Sequence, residues 1–143
     1  PAQVLEKDLL ELVDVLLPNE YEIALMTGVP LQTPADTRRA AEKLLDLGVK
    51  NLLVTLGSHG SALFSPSAPE TLIPAWLVRA VDTTAAGDCF VGALAVGLCE
   101  GRSLQDAAKF ASAAAALSVT REGAQPSLPR RSEVEQFLRE RNM

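Results

Sequence analysis

The chain has 143 residues, of which 48% are apolar, and this is enough to bury the core of one ordinary domain. Aromatic residues make up only 4%, so we expect a core of Leu, Ala and Val. The net charge of −5 argues against a nucleic-acid partner, because such a surface needs clustered positive charge. No apolar run reaches the roughly 20 residues of a membrane span, and no basic segment followed by an apolar one opens the chain. We therefore expect no membrane partner and no retained secretory signal.

The two cysteines and the single histidine restrict the chemistry further. Cys89 and Cys99 are ten residues apart and lie outside any CxxC pattern, so neither a disulfide scaffold nor a zinc site is indicated. Ten helical steps separate them by about 15 Å, which is too far for a disulfide bond. Two reduced cysteines are typical of a cytoplasmic protein, and we expect that location. His59 is the only histidine, so a His-containing catalytic triad would require His59 as its base.

The beginning of the chain alternates predicted strands and helices. Residues 13–17 predict a buried strand that ends at Pro18-Asn19. Glu20–Thr27 predicts a short helix that ends at Gly28.

A longer helix is predicted after Thr33. Thr33 as the N-cap, Pro34 at the first helical position and Asp36 near the positive end of the helix dipole mark its start. Gly48 lies where a helix commonly ends. The apolar face of this helix consists of Ala40, Ala41, Leu44, Leu45 and Leu47.

A hairpin and an extended segment are predicted next. Residues 52–56 predict a second buried strand, which the turn at residues 57–60 joins to residues 61–64. Residues 72–81 predict an extended segment in which Pro74 indicates a sheet edge or a bulge.

Helices dominate the remainder of the chain. One helix is predicted over residues 87–99 and another over residues 104–119, with Ser103 or its neighbour as the cap of the second. Residues 123–129 predict a loop. Ser132 is predicted to cap a last helix, whose apolar side consists of Val134, Phe137 and Leu138. Strands that alternate with helices favour an α/β fold with a largely parallel sheet.

The loop at residues 82–88, Asp-Thr-Thr-Ala-Ala-Gly-Asp, is the strongest candidate for chemistry. It runs from an extended segment into a helix, and a helix start offers free N–H groups and a positive dipole end to an anion. Small residues at 85–87 let the backbone approach a phosphate, and Asp88 beside it can accept a proton from an attacking hydroxyl. The alternative is that Asp88 only offsets the helix dipole. The sequence contains no GxxxxGK[ST], GxGxxG or GxSxG motif.

The turn at residues 55–60, Thr-Leu-Gly-Ser-His-Gly, is a second candidate. A strand that ends in a Gly-rich turn can contact a ligand at the carboxyl edge of a sheet. The alternative is an ordinary hairpin turn with His59 exposed to solvent.

Asn19 and Glu22 form a third candidate, at the end of the first strand. Their amide and carboxylate could hold a phosphate and the shell of a magnesium ion. Capping of the following helix by the same two side chains is the alternative.

The fourth candidate is the loop at residues 120–127, Thr-Arg-Glu-Gly-Ala-Gln-Pro-Ser. A loop that leaves a helix offers free carbonyl groups, and these together with Asp82 could form an oxygen cage for a hard cation. The alternative is a loop without a ligand.

The order and spacing of these four motifs resemble the ribokinase family of sugar kinases, the PfkB carbohydrate kinases. Residues 18–22 resemble the family's P-N-x-x-E element, residues 55–60 its T-L-G-x-x-G nucleotide turn, and residues 82–88 its D-T-x-x-A/G-A-G-D signature. The stretch at residues 123–127 favours the ribokinase branch. The resemblance covers nearly the whole chain and implies a ribokinase-like, layered α/β/α fold. Ala85 departs from the glycine of many members.

The resemblance implies a role for each matching residue in ATP-dependent phosphorylation of D-ribose at O5. Asp88 would be the base that contacts the sugar hydroxyl, and the backbone of Ala85, Ala86 and Gly87 would form the anion hole for the γ-phosphate. Glu22 would organise the Mg²⁺ shell. The expected nucleotide contacts are Asn19, Thr55, Leu56, Gly57, Ser58, His59, Gly60 and Ser112.

A monovalent-cation site, normally occupied by K⁺, is also implied by the resemblance. Asp82 would contribute its carboxylate and Ser127 would be a further ligand. The carbonyl ligands would come from Thr84, Ser118, Arg121 and Gly123.

The resemblance corresponds to the C-terminal half of a family member, so residues 1–143 would form the nucleotide-binding and cation-binding part of a PfkB-type domain. Pro1-Ala2 resembles the end of the family's N-P-A-P strand. The N-terminal half with its sugar site and lid would be missing, and we expect this chain alone to be inactive. The full-length protein would be a homodimer. Another sugar or nucleoside kinase, or a catalytically silent nucleotide-binding fragment, remains an alternative.

Overall fold

The computed structural model describes residues 3–141, so the motif at Pro1-Ala2 lies outside the described residues. The chain divides into two compact units, residues 1–72 (unit 1) and residues 73–143 (unit 2). Within residues 3–141, no helix has the length and apolar composition needed to cross a membrane. The helices and strands are α1 (Lys7–Glu11), α2 (Glu20–Thr27), α3 (Pro34–Asp46), β1 (Leu52–Thr55), β2 (Ser61–Ser65), β3 (Ala68–Ile73), α4 (Ala86–Cys99), α5 (Leu104–Ser118) and α6 (Arg131–Arg141).

Strand β1 has an antiparallel neighbour on one side and a parallel neighbour on the other. β1 pairs antiparallel with β2, which places Thr55 opposite Ser61, and β3 follows β2 in the sheet. On the other side of β1, Leu16 bridges Leu52 and Asn19 bridges Thr55 in parallel orientation. The described sheet is therefore less parallel than the sequence predicted. Only residues 16–19 reach β1 through a helical crossover, and short turns join the other strands, which forces them to be antiparallel.

Two extended segments differ from their predicted boundaries. Residues 13–17 form a single isolated bridge, at Leu16, and are half-buried or exposed rather than a buried strand, because within residues 3–141 only β1 pairs with them. The segment predicted over residues 72–81 is a strand only as far as Ile73. Pro74 lacks an N–H group and cannot continue the ladder.

α3 begins at Pro34 with Thr33 as its N-cap, as predicted, and the Asp36 carboxylate holds this start through hydrogen bonds that were not predicted. The Asp36 carboxylate accepts hydrogen bonds from the backbone N–H groups of Gln32 (3.0 Å) and Thr33 (2.8 Å). Hydrogen bonds from the Thr33 hydroxyl and from these two N–H groups lower the pKa of Asp36 to about 2. Gly48 follows the helix with φ +101°, a backbone conformation that favours glycine.

The core of unit 1 is aliphatic, apart from Phe64. Its helical part comes from α2 and α3, and its sheet part from β1 and β2. The fully or almost fully buried residues include Ile23, Ala40, Ala41, Leu44, Leu52 and Val54.

Unit 2 is built on close contact between α4 and α5. A Cβ atom placed on Gly97 would lie 3.0 Å from the Cβ of Ala107, so the glycine allows the two helices to approach. α6 packs its buried Val134 and Phe137 into the core of this unit, and the ring of Phe137 contacts Trp76 edge to face at 5.5 Å. The small residues predicted on α5 therefore allow this helix to pack closely against α4.

The helix caps of unit 2 agree with the sequence in one case and differ in another. The hydroxyl of Ser103 accepts a hydrogen bond from the N–H of Asp106 at 3.1 Å, so the predicted cap of α5 is confirmed. The predicted cap of the last helix was wrong, because Ser132 lies inside α6. The carboxylate of Glu133 accepts the N–H of Arg130 at 2.7 Å instead.

Both cysteines are free, as expected. Cys89 is buried in α4 and Cys99 is exposed at the end of the same helix. Burial raises the pKa of the Cys89 thiol, which makes this thiol a poor nucleophile.

Ser61 gives a stability prediction. Its hydroxyl is buried and has no hydrogen-bond partner among residues 3–141, whereas the buried hydroxyl of Ser127 donates to the carbonyl of Ala124 at 2.7 Å. An unsatisfied buried hydroxyl is costly, so Ser61→Ala should leave the unfolding free energy unchanged or raise it by about 1 kcal/mol. Ser127→Ala should lower it by about 1 kcal/mol. Urea unfolding in K⁺-free buffer measures both, and a clear loss in Ser61→Ala would contradict the prediction.

Candidate functional site

In unit 1, the fold brings two of the sequence motifs together. The carbonyl of Pro18 accepts the N–H of Thr55 at 3.0 Å, and Asn19 bridges the same residue. Residues 16–19 and β1 are parallel neighbours, so their carboxyl ends lie at one edge of the sheet. This is the edge at which open α/β sheets bind ligands.

The turn at residues 57–60 closes tightly on itself. The N–H of Leu56 donates to the carbonyl of Gly60 at 2.8 Å, and the N–H of His59 donates to the carbonyl of Leu56 at 3.0 Å. Gly60 has φ +93° and ψ −129°, a conformation that requires glycine. The N–H groups of Gly57 and Ser58 donate to no backbone carbonyl within residues 3–141. The hairpin is confirmed, and its exposed side offers two free donors.

Asn19 and Glu22 act as a capping box in this structure. The N–H of Asn19 donates to Glu22 Oε2 at 2.8 Å, and the N–H of Glu22 donates to Asn19 Oδ1 at 2.9 Å. Each side chain therefore satisfies one N–H group at the start of α2. The second carboxylate oxygen of Glu22 accepts no hydrogen bond from a described residue. One carboxylate with a free oxygen suits Mg²⁺, which binds through few protein ligands together with phosphates.

In unit 2, Asp82 holds the start of the 82–88 loop. Its Oδ1 accepts the N–H of Thr84 at 2.9 Å, and its Oδ2 accepts the N–H of Gly123 at 2.8 Å. The Thr84 hydroxyl, and then the N–H groups of Thr84 and Gly123, hold the pKa of Asp82 below its ordinary value. The carbonyl of Val119 accepts the N–H groups of Val81 (2.7 Å) and Asp82 (3.2 Å). These bonds join the predicted catalytic loop to the predicted cation loop.

The N-terminus of α4 has no side-chain cap. Ala85, its N-cap residue, has φ +59° and is the only non-glycine residue with positive φ within residues 3–141. The N–H of Ala86 donates to the carbonyl of Thr83 at 3.2 Å, so the free donors of the first turn are those of Gly87 and Asp88. Asp88 is exposed, and its carboxylate accepts no hydrogen bond from a described residue.

The donor set of the predicted cation site consists of oxygen atoms. The carbonyl groups of Thr84, Arg121 and Gly123 accept no hydrogen bond from residues 3–141. Ser118 accepts the N–H of Arg121 at 3.1 Å, and the hydroxyl of the fully buried Ser127 donates to Ala124. A carboxylate, a hydroxyl and carbonyl oxygens are ligands for a hard cation. Clusters of three or more His, Cys, Asp or Glu do not occur in the described part of the chain.

Ser112 lies on α5 and is 9% exposed. Its burial in the helix packing of unit 2 accounts for a small residue at this position.

Two contacts of the site were not predicted from the sequence. The carbonyl of Val119 carries no signal in the side-chain pattern, because any residue offers one. Glu133 pairs with Arg121, and its position three residues after Arg130 at a helix start is a capping signal that could have been noticed.

The lowered pKa of Asp82 predicts that unit 2 loses stability in acid. Because its pKa is lower in the folded chain than in the unfolded chain, its contribution to stability is complete above a pH of about 4 and is lost as the pH falls through the folded pKa. Asp82→Asn should flatten this acid limb in chemical unfolding measured between pH 2 and pH 5. Glu122→Gln, an exposed change in the neighbouring loop, should leave the slope unchanged. An unaltered slope in Asp82→Asn would contradict the prediction.

Ala85 predicts a stabilising glycine. A left-handed conformation destabilises the folded state by about 1–2 kcal/mol when the residue has a Cβ atom. Replacing that residue by glycine removes this cost, but the greater freedom of glycine in the unfolded chain offsets about 0.4–1 kcal/mol of the gain. Ala85→Gly should raise the unfolding free energy by about 0.5 kcal/mol. Ala95→Gly, in the exposed interior of α4, should lower it by about 1 kcal/mol. Equal losses in both variants would show that Ala85 carries no strain.

The chain is 41% identical over 138 residues to a ribokinase of Haemophilus influenzae, an alignment that covers 96% of this chain and 45% of the relative. It is also 41% identical over 124 residues to a deoxyribokinase of Salmonella typhi, which covers 87% of this chain and 39% of that protein. The chain spans less than half the length of these relatives.

The fold agrees with the sequence match. A structure of Arabidopsis thaliana ribokinase complexed with ribose and ATP superposes with a TM-score of 0.88 at 42% identity, covering 93% of this chain and 43% of that one. The ribokinase-like α/β fold, present as a partial domain, is thus confirmed. Residues 2–131 match the pfkB family of carbohydrate kinases. This chain belongs to that family.

Proposed function

We propose that residues 1–143 form the C-terminal part of a kinase that transfers the γ-phosphoryl group of ATP to O5 of D-ribose. The observation that carries the proposal is the start of α4, where an exposed Asp88 lies beside the free N–H groups of an uncapped helix. Phosphoryl transfer needs little more from a protein than a base, positioned donors and charge stabilisation.

Asp88 acts as the general base. Its carboxylate takes the proton of the attacking sugar hydroxyl while the hydroxyl oxygen forms a bond to the γ-phosphorus. The bond from that phosphorus to the bridging oxygen breaks, and ADP leaves with the electron pair. The backbone of Ala85, Ala86 and Gly87, which is the expected anion hole, stabilises the charge on the transferred group together with the N–H of Asp88 and the positive end of α4. The left-handed Ala85 turns the chain into the helix and leaves the N–H groups of Gly87 and Asp88 open.

Unit 1 contributes the nucleotide contacts. Asn19 and the turn from Thr55 to Gly60, including its free N–H groups at Gly57 and Ser58, lie at one sheet edge and contact ATP. In unit 2, Ser112 stays an expected nucleotide contact by family resemblance alone. The free oxygen of Glu22 organises the hydration shell of Mg²⁺, which supplies charge neutralisation on the phosphates.

K⁺ is the expected activator. Asp82, Ser127 and the carbonyl groups of Thr84, Ser118, Arg121 and Gly123 hold it. The hydrogen bond between Asp82 and the N–H of Gly123 couples this loop to the one that begins α4.

A different acceptor is the second candidate. The deoxyribokinase of Salmonella typhi matches this chain with the same identity as the Haemophilus ribokinase. The part of the relatives outside the match is large enough to hold the acceptor site, so deoxyribose and other sugars belong in the same assay. The homodimeric state of the complete protein and its cytoplasmic location stay predictions.

The test of function is ADP release with ATP, Mg²⁺ and K⁺ against a panel of sugars. We expect the 143-residue chain to bind MgATP without sugar-dependent turnover, and a protein that includes the remainder of the domain to prefer D-ribose. Sugar-dependent turnover by the chain alone would overturn the proposed division of the sites. A preference for another sugar would replace the substrate and keep the kinase.

Asp88 gives a kinetic prediction. In the complete protein, Asp88→Asn should lower kcat by about 10²-fold or more and leave KM for ATP nearly unchanged, because only the transition state uses the base. Steady-state ADP release measures both constants. A change confined to KM for ATP would contradict the assignment of Asp88 as the base.

Glu22 separates capping from metal binding. Glu22→Gln keeps an acceptor for the N–H of Asn19 but loses the charge, so the unfolding free energy should stay within about 0.5 kcal/mol while the Mg²⁺ concentration for half-maximal ATP binding rises. Glu22→Ala should in addition lose about 1 kcal/mol of stability. Thermal unfolding and calorimetric titration of ATP at several Mg²⁺ concentrations distinguish the two effects. An unchanged Mg²⁺ dependence of ATP binding in both variants would show that Glu22 caps α2 and does not organise Mg²⁺.

A further inference from the structure

We propose that Glu133 is a positioning residue for the cation loop, defined as residues 120–127, and that it sets the affinity of this loop for a monovalent cation. The inference rests on the proposed cation site. Glu133 itself is not among the residues expected to touch the ion.

Glu133 uses both carboxylate oxygens at the junction of two elements. Oε1 accepts a hydrogen bond from Nη2 of Arg121 at 2.5 Å, and Oε2 accepts the N–H of Arg130 at 2.7 Å. The carboxylate thus connects the cation loop to the first turn of α6. The next residue, Val134, is 2% exposed and Phe137 is 6% exposed, so α6 is an anchored support.

Within the cation loop, the backbone of residues 121–123 is held by two hydrogen bonds. The N–H of Arg121 donates to the carbonyl of Ser118 at 3.1 Å, and the N–H of Gly123 donates to Asp82 at 2.8 Å. Gly123 has φ +82°. The side chain of Arg121, fixed by Glu133, is the third anchor, and it belongs to the residue whose own carbonyl is an expected ligand. Removing this anchor leaves that carbonyl free to move relative to Asp82.

The negative charge of Glu133 should also favour cation binding. Arg121 is the only basic residue of the cation loop, and the Glu133 carboxylate balances its charge at the place where a cation is to bind. Without that carboxylate, the guanidinium would repel the ion. Loss of a group that orients a metal ligand commonly lowers metal affinity by about 10-fold to 100-fold.

A purely structural ion pair is the competing explanation, and it predicts a different pattern. The side chains of Arg121 and Glu133 are 35% and 38% exposed, and ion pairs this exposed contribute little to stability. A positioning role therefore predicts a large change in cation affinity with a small change in the melting temperature measured without K⁺.

The test compares Glu133→Gln with Glu135→Gln in the 143-residue chain. The control removes the same charge from the same helix, where Glu135 pairs with Arg131 at 2.7 Å and not with the cation loop. Cation affinity is measured by thallium-205 NMR with K⁺ competition, and by the rise of the melting temperature in KCl over choline chloride. We expect Glu133→Gln to weaken K⁺ binding by about 10-fold and Glu135→Gln to change it by less than about twofold.

Exchange of the Gly123 amide hydrogen is the second measurement, and it needs no cation. Glu133→Gln should accelerate this exchange relative to Glu135→Gln, whereas Glu133→Asp, which keeps the charge, should recover part of the K⁺ affinity. Equal K⁺ affinity in the wild type and Glu133→Gln would overturn the role of Glu133 and keep the cation site. No K⁺ binding by the wild type would overturn the cation site itself, and unchanged Gly123 exchange would then also remove the anchoring role.

Discussion

The Asp82 carboxylate is the constraint on which the arrangement of unit 2 depends. One of its oxygens accepts the N–H of Thr84, two residues along the chain, and the other accepts the N–H of Gly123, which follows α5. A single side chain thus fixes the loop that enters α4 and the loop that leaves α5. Because the carboxylate must be ionised to accept both bonds fully, local geometry, acid sensitivity and the proposed cation site share one physical cause.

In unit 1, backbone hydrogen bonds hold two sequence motifs together, as the Asp82 carboxylate does in unit 2. The carbonyl of Pro18 and the N–H of Thr55 align the ends of two parallel segments, and the glycine turn then folds back into β2. The capping box of Asn19 and Glu22 sits at the same edge. Side chains that stabilise a helix start are therefore also placed where a ligand of the sheet would bind, and the two roles are compatible because Glu22 retains a free oxygen.

The sequence predicted the elements whose signals are local. Thr33, Pro34 and Asp36 gave the start of α3, and Ser103 gave the start of α5, because capping involves residues only three apart. The sequence did not predict β3 or the half-buried state of residues 13–17, since strand pairing and burial depend on distant neighbours. Residue types alone paired Asp82 with the loop at residues 120–127 as a possible oxygen cage, but Gly123 was named as a carbonyl ligand only through the family resemblance. The left-handed Ala85 also escaped prediction, because alanine rarely adopts that conformation and nothing local signals it.

The most direct test of the account is a titration of the ¹⁵N-labelled chain with MgATP, followed through backbone amide resonances. If the transferred phosphate binds at the start of α4, the amides of Gly87 and Asp88 should show the largest shifts in unit 2, and Asp82→Asn should weaken these shifts. Binding that shifts only amides remote from residues 82–88, or no binding to the folded chain, would contradict the central claim.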